Sequence, residues 1–358
     1  MSLRPRARIH LNNIADNWRT LRAAQESGLT ASVIKADAYG HGLEQVAETL
    51  HEAGCDHFFV AHGFEGERAR NILGPHPSIY VLNGPNPYEE PLYRMSALTP
   101  VINSLYQFQT LVAWMQSSGK LRNGYALHFD TGMNRLGLPV SDAAQIAEAT
   151  AGSDASMIMT HLACSETASN TMNAFQLAQF EAALTHFPNV PISLANSGGV
   201  WLGEAYRADL TRPGIALYGG GTAPEGTQLK PGMTLEAPIL QVHVAQTGET
   251  VGYGATHTFS KPTPLATVAL GYGDGFPRSA SNTGFAMIDT MRCPIVGRVS
   301  MDLITIDVSA GVNLARPGVF AQFIGSHAPL EEQASLAGTI GYELTTGLTP
   351  RVERIYES

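Results

Sequence analysis

The sequence predicts an α/β fold: an N-terminal (β/α)8 TIM-type barrel followed by a smaller C-terminal mostly-β domain. Three observations predict it. Between residues 31 and 219, short apolar runs alternate with amphipathic stretches, the pattern of repeated βα units around a parallel sheet. The runs number eight, the strand number of a closed parallel barrel. Beyond about residue 220 the helical periodicity fades and β-rich segments separated by turn residues take over.

The opening RARIHLNN reads as a strand that could serve either domain. The eight runs follow as Ala31 to Asp37, His57 to Ala61, Ser78 to Leu82, Thr99 to Asn103, Tyr125 to Asp130, Ser156 to His161, Ile192 to Asn196 and Ala208 to Arg212. After the first, Leu43, Val46, Ala47 and Leu50 recur at i, i+3, i+4 and i+7, the face of a helix with one buried side. Phe175, Leu177, Phe180 and Leu184 repeat the pattern less regularly. GGGTAPEGTQLKPG is a linker by its Gly, Pro and Thr content, which divides the chain into residues 11–224 and 225–358. The β segments ILQVHVAQ, PLATVALGY, FAMIDT, CPIVGRV and DLITIDV come next, with one late helix at Leu330 to Ala337.

Composition narrows the class. A chain of 358 residues allows about two domains. With 44% hydrophobic and 15% charged residues it folds rather than staying disordered. A net charge of −9 repels nucleic acid and anionic membranes. Cys55, Cys164 and Cys293 are far apart and show no C-x-x-C spacing, against a disulfide scaffold or a zinc site and for a reducing compartment. The histidine pairs His41 with His51 and His57 with His62 lack the carboxylates or cysteines of a metal centre, so no metal is expected. MSLRPRARIH has no apolar signal core, and no apolar run approaches the ~18 residues of a membrane span. A cytoplasmic location is expected.

In a (β/α)8 barrel the chemistry sits where strands end. The strand ends deliver Lys35, His161, Asn196, Ser197 and Arg212, with Arg135 in the loop DTGMNRLG after the fifth. Lys35 is flanked by Val33, Ile34 and Ala36. A lysine drawn out of water there has a lowered pKa and can hold an aldehyde as a Schiff base, while a rim lysine paired with Asp37 is equally compatible. NSGG (196–199) and RPGI (212–215) present backbone N–H groups where barrels bind phosphate. An aldehyde-binding lysine beside a phosphate site points to pyridoxal phosphate. In GYGDG (271–275), Tyr272 is a candidate acid or base.

VIKADAYGHG, DTGMNRLG, HLACSE, NSGG, RPGIALYG, GYGDGFPR, VGRVSMD and GYEL stand together in one order, and with them the sequence resembles the alanine racemases, fold-type III pyridoxal-phosphate enzymes, over nearly its whole length. The resemblance implies that strand 1–10 packs on the β domain. It implies that Lys35 carries pyridoxal 5'-phosphate, that Tyr39, Ser197, Gly214, Ile215 and Tyr342, near Asn196, hold its phosphate, that Arg212 faces the pyridine nitrogen, and that His161 orients Arg212. Arginine donates without releasing its proton, so the ring is a weak electron sink and reprotonation at Cα is favoured. Lys35 and Tyr272 become the two bases of a racemase, acting on D- and L-alanine respectively, with Arg135 and the backbone of Met301 at the substrate carboxylate. Tyr272 and Met301 arrive from the partner of a head-to-tail homodimer, and the product D-alanine serves peptidoglycan.

The sequence departs from the family at His128, where many members place a lysine whose carbamate steadies the substrate arginine, at Asp37 in place of asparagine, and at Gly273 in place of alanine. A broader-specificity amino-acid racemase acting on serine, an amino-acid decarboxylase and a non-catalytic pyridoxal-phosphate protein are the competing readings. The β domain and Tyr272 weigh against the last.

Overall fold

The computed structural model describes residues 4–151 and 155–358. The first three residues of the expected opening strand lie outside these. Parallel strands Ser32–Val33, His57–Val60, Ser78–Val81, Thr99–Ile102, Tyr125–Asp130, Ala155–Met159 and Ile192–Ser193 pair in that order. Leu210–Thr211 pairs with Leu29–Thr30. Arg212 donates its N–H to Ala195 at 2.8 Å, and Asp209 donates to Ile192 at 3.2 Å, which closes the ring. All eight expected runs supply barrel strands. Their residues are buried almost without interruption, as strands covered on both faces require.

The first run ends sooner than expected. Its strand stops at Val33, and Ala36, Asp37, Ala38 and Tyr39 follow with φ of 53°, 55°, 53° and 54°, a turn of left-handed helix. Each non-glycine residue there costs roughly 1–2 kcal/mol. Ala38 N–H to Ile34, Gly40 N–H to Ala36 and Gly42 N–H to Asp37 offset part of it. Gly40 continues the turn at φ 81°, and any side chain on it would collide with the Thr345 carbonyl.

Helix Leu43–Glu52 buries Leu43, Val46, Ala47 and Leu50 as the spacing predicts. Helix Thr171–Leu184 differs. It buries Asn173, Gln176, Phe180 and Ala183, while Phe175 is exposed. Gln176 displaces the apolar pattern because its amide satisfies buried backbone: Nε2 donates to the His161 carbonyl at 2.9 Å, and Oε1 accepts from Ala163 N at 2.8 Å.

Most of the remaining strands form a mainly antiparallel sheet around Met233–Ala245, while Thr250–Val251 and His257–Thr258 pair as a separate hairpin and Leu138–Pro139 adds to Tyr125–Asp130. Strand Arg6–His10 lies between Met233–Ala245 and Glu353–Glu357, in the β domain's sheet. The Gly- and Pro-rich stretch is tied down by Asn17, whose amide bonds Leu217 O at 3.0 Å, Lys230 O at 2.8 Å and Lys230 N at 2.8 Å. The late helix runs Leu330–Leu336. A second, Gly341–Thr346, follows it and packs on the left-handed turn. Among the described residues no helix is long and apolar enough to cross a membrane.

Candidate active site

A cavity of about 520 Å³ opens at the carboxyl ends of the barrel strands. Lys35, Arg135, His161 and Arg212 line it, as do Tyr39, Asn196, Ser197, Gly214, Ile215 and Tyr342. Ten sequence-selected residues therefore share one wall. Tyr272 and Met301 do not reach it. They sit on the surface of the β domain, 42% and 53% exposed.

Lys35 leaves the strand at the start of the left-handed turn, which turns its side chain into the mouth. Burial, then the nearby Arg135, push its pKa down, with Glu65 opposing. The pairing with Asp37 is absent: Asp37 accepts from Arg68 at 3.1 Å and from Leu43 N at 3.1 Å. Glu65, which sequence reasoning missed, holds the turn instead. Its carboxylate accepts from Ala36 N at 2.7 Å, Ala61 N at 2.8 Å and His62 N at 3.0 Å, and it is only 5% exposed. Its sole trace in the sequence is its place three residues after His62, at the start of helix Gly63–Leu73.

Arg212 is buried, and among the described residues no carboxylate pairs with it. Its guanidinium donates to Ser193 Oγ, to Thr160 O at 2.6 Å and to Leu194 O at 3.3 Å, and burial lowers its pKa to about 9. These three acceptors set its direction. His161 lines the cavity beside it, held well below its ordinary pKa by burial and by Arg212 and Arg135.

Ser197 Oγ accepts from Gly214 N at 2.9 Å and Ala216 N at 3.2 Å, gathering two backbone donors at one point. A side chain on Gly214 would collide with the Tyr39 hydroxyl, so glycine here lets Tyr39 close on the loop. Tyr39 stacks on Tyr218 at 4.9 Å and meets Tyr342 at 5.9 Å. Tyr342 hydrogen-bonds Glu166 at 3.1 Å.

A nucleophilic lysine, an uncompensated arginine and a narrow nest of donors suit an aldehyde, a pyridine nitrogen and a phosphate in one ligand. The family models "Alanine racemase, N-terminal domain" and "Alanine racemase, C-terminal domain" match residues 9–222 and 232–356. The chain belongs to the alanine racemase family. An alanine racemase of Methylobacterium nodulans is 44% identical over 98% of this chain and 95% of its own. A catabolic alanine racemase of Agrobacterium fabrum is 43% identical over 97% and 91%. Among alanine racemase structures, that of Bartonella henselae with covalently bound pyridoxal phosphate superposes with TM-score 0.92 at 35% identity, covering 99% of this chain and 100% of that one. The biosynthetic enzyme of Pseudomonas aeruginosa gives 0.92 at 30%, covering all of both.

Proposed function

We propose that this chain interconverts L- and D-alanine with pyridoxal 5'-phosphate. The observation that carries the reading is the single cavity in which a lysine of lowered pKa, a buried arginine with no carboxylate partner among the described residues and the paired Ser197 and Gly214 loops converge. The bound cofactor supplies an aldehyde for the lysine and a conjugated ring that acidifies the α-hydrogen of an attached amino acid.

The protein residues do the rest. Ser197, Gly214, Ile215, Tyr39 and Tyr342, with Asn196 bracing the loop, hold the phosphate. Asn196 braces it by accepting from Ser165 Oγ at 2.6 Å and Gly199 N at 3.0 Å. Arg212 offers its N–H to the ring nitrogen and keeps its proton, since even a pKa of about 9 leaves it charged at neutral pH. His161, neutral at that pH, closes the wall beside it. Arg135 receives the substrate carboxylate.

Racemisation takes a proton from one face of Cα and returns it to the other. Lys35 Nζ serves the D-face. The L-face is served by Tyr272 Oη of the partner subunit, with the backbone N–H of the partner subunit's Met301 at the substrate carboxylate. The reading therefore includes a homodimer, and the exposure of both residues on one patch supports it. It also includes a division at residues 224 and 225 and a cytoplasmic enzyme that supplies D-alanine to the cell wall. The three cysteines, all free thiols, agree with that location.

The experiment is circular dichroism of L-alanine with the purified holoprotein, together with the cofactor absorbance of the same sample. Decay of the signal to zero establishes the activity. Persistence of the signal with cofactor bound overturns alanine as substrate.

A further inference from the structure

The left-handed turn at residues 36–39 begins next to Lys35 and ends at Tyr39, and different residues hold its two ends. Glu65 holds the first, by accepting from Ala36 N at 2.7 Å. His41 holds the second. It is fully buried, and its Nδ1 lies 3.1 Å from the Ala38 carbonyl and 3.0 Å from the Tyr39 carbonyl. Both oxygens only accept, so the ring proton resides on Nδ1 and is shared between them. Two consecutive residues with φ of 53° and 54° thus have their carbonyls tied to one donor.

The same imidazole also reaches the Tyr39 side chain. It stacks on Tyr218 with centroids 4.5 Å apart and planes at 28°, and Tyr218 stacks on Tyr39 at 4.9 Å and 27°. Tyr218 is itself pinned, because its hydroxyl donates at 3.0 Å to the carbonyl of Val33, the last residue of strand Ser32–Val33. All three rings are buried. Tyr39 is therefore gripped twice, at its carbonyl and at its ring, and its hydroxyl lies against Gly214 in the loop joined to Ser197. Ordering a mobile side chain when a ligand arrives lowers affinity, and a side chain already ordered avoids that cost.

We propose that His41 is a positioning residue for Tyr39: one imidazole fixes the tyrosine carbonyl directly and its ring through Tyr218, and so holds the phenol hydroxyl in place for the cofactor phosphate. This rests on the reading in which Tyr39 meets that phosphate. The turn then has two separable jobs. Loosening its Lys35 end weakens capture of an aldehyde whatever else the ligand carries. Loosening its Tyr39 end weakens only ligands that carry a phosphate.

The test uses the full chain, freed of cofactor and reloaded with either pyridoxal 5'-phosphate or pyridoxal, and reads both dissociation constants from the absorbance of the bound ligand. Their ratio is the phosphate preference. His41→Phe keeps a ring and loses the donor, and the preference falls about tenfold because fewer molecules hold Tyr39 in the competent position. His41→Asn, whose amide nitrogen stands in for Nδ1, restores most of it. Tyr218→Leu, which removes the stack, lowers the preference in the same direction, and this pair carries the comparison even where His41→Phe does not fold. Glu65→Gln, at the other end of the turn, weakens both ligands alike. In a Tyr39→Phe background His41→Phe changes the preference by less than about twofold, since the hydroxyl to be aimed is gone. An unchanged preference in both His41→Phe and Tyr218→Leu, an equal loss for the two ligands, or a full loss that persists without the Tyr39 hydroxyl overturns the proposal. A holoprotein that leaves alanine untouched sinks the racemase reading instead, and the ratio, being a binding measurement, still decides the role of His41.

Discussion

Gly273 donates its N–H to the Met301 carbonyl at 2.8 Å, and with the Tyr272 N–H on Ser300 O at 3.1 Å it zips two loops into one exposed unit. Arg351 braces that unit from below, reaching Asp274 at 3.0 Å and Asp302 at 2.7 Å. Lys35 and Tyr272 therefore occupy separate regions of one chain, and complementation reads out whether two chains share a site. Lys35→Ala and Tyr272→Phe homodimers are each inactive as racemases. Mixed after denaturation and refolding, they regain roughly a quarter of wild-type activity, because half the dimers are hetero and each of those carries one intact site. No recovery means that each chain acts alone.

In the proposed two-base mechanism Tyr272→Phe removes one base. The equilibrium constant of a racemase is one by symmetry, so kcat/KM falls equally in both directions, by about 10²–10⁴-fold. The asymmetry appears in D2O. The variant exchanges the α-hydrogen of D-alanine with solvent, by way of Lys35, faster than it makes L-alanine. L-alanine keeps its hydrogen. Equal exchange from both isomers, read by proton NMR, contradicts the assignment of faces.

Glu65→Ala leaves three backbone N–H groups without their acceptor and releases the left-handed turn that aims Lys35. A loss of roughly 3 kcal/mol is expected, seen as a Tm lower by several degrees. Glu65→Gln offers one oxygen where two are used, so it falls between the variant and the wild type. Activity drops further than stability, since a small displacement of the lysine costs rate directly.

Acid acts on the buried histidines. His41 is fully buried, its Nδ1 directed at the Ala38 and Tyr39 carbonyls and its Nε2 without a partner among the described residues, and burial lowers its pKa to about 4. His128 has the same value for the same leading reason. In the unfolded chain both titrate near ~6.5, so between about pH 6.5 and 4 the unfolded state binds more protons. Their contribution is complete above that window and is lost on acidification, at roughly 3 kcal/mol each. The Tm should begin to fall near pH 6, before carboxylates titrate. A flat Tm down to pH 5 would falsify this.

The barrel was legible because its strands are continuous apolar runs, and rim residues such as Arg212 and His161 follow once strand ends are located. Asn103 was within the same reach, as the last residue of the fourth run, yet its hydrogen-bond partner His128 is on the neighbouring strand and no local pattern encodes it. The turn at residues 36–39 was hidden for another reason. Ala, Asp, Ala and Tyr carry no preference for positive φ beyond the aspartate's mild one, and the conformation is imposed by Glu65 and by helix Gly341–Thr346. Phe175 misled because helical spacing marks a face without saying that it is buried. In Thr171–Leu184 the inward face needs the hydrogen bonds of Gln176 more than another aromatic ring.

The strand Arg6–His10 has both its neighbours far downstream, with Arg6 opposite Glu236 on one side and Glu353 on the other. On a ribosome it emerges before either neighbour and waits, through synthesis of the whole barrel, before either edge is filled. Its alternation of inward Ala7 and Ile9 with outward Arg6, Arg8 and His10 suits that wait, because charge along an unpaired edge discourages pairing with another nascent chain. A strand translated late thus closes over one translated early. A chain cut short before Glu353 leaves strand Arg6–His10 with one edge unpaired, the kind of exposed backbone on which proteolysis concentrates.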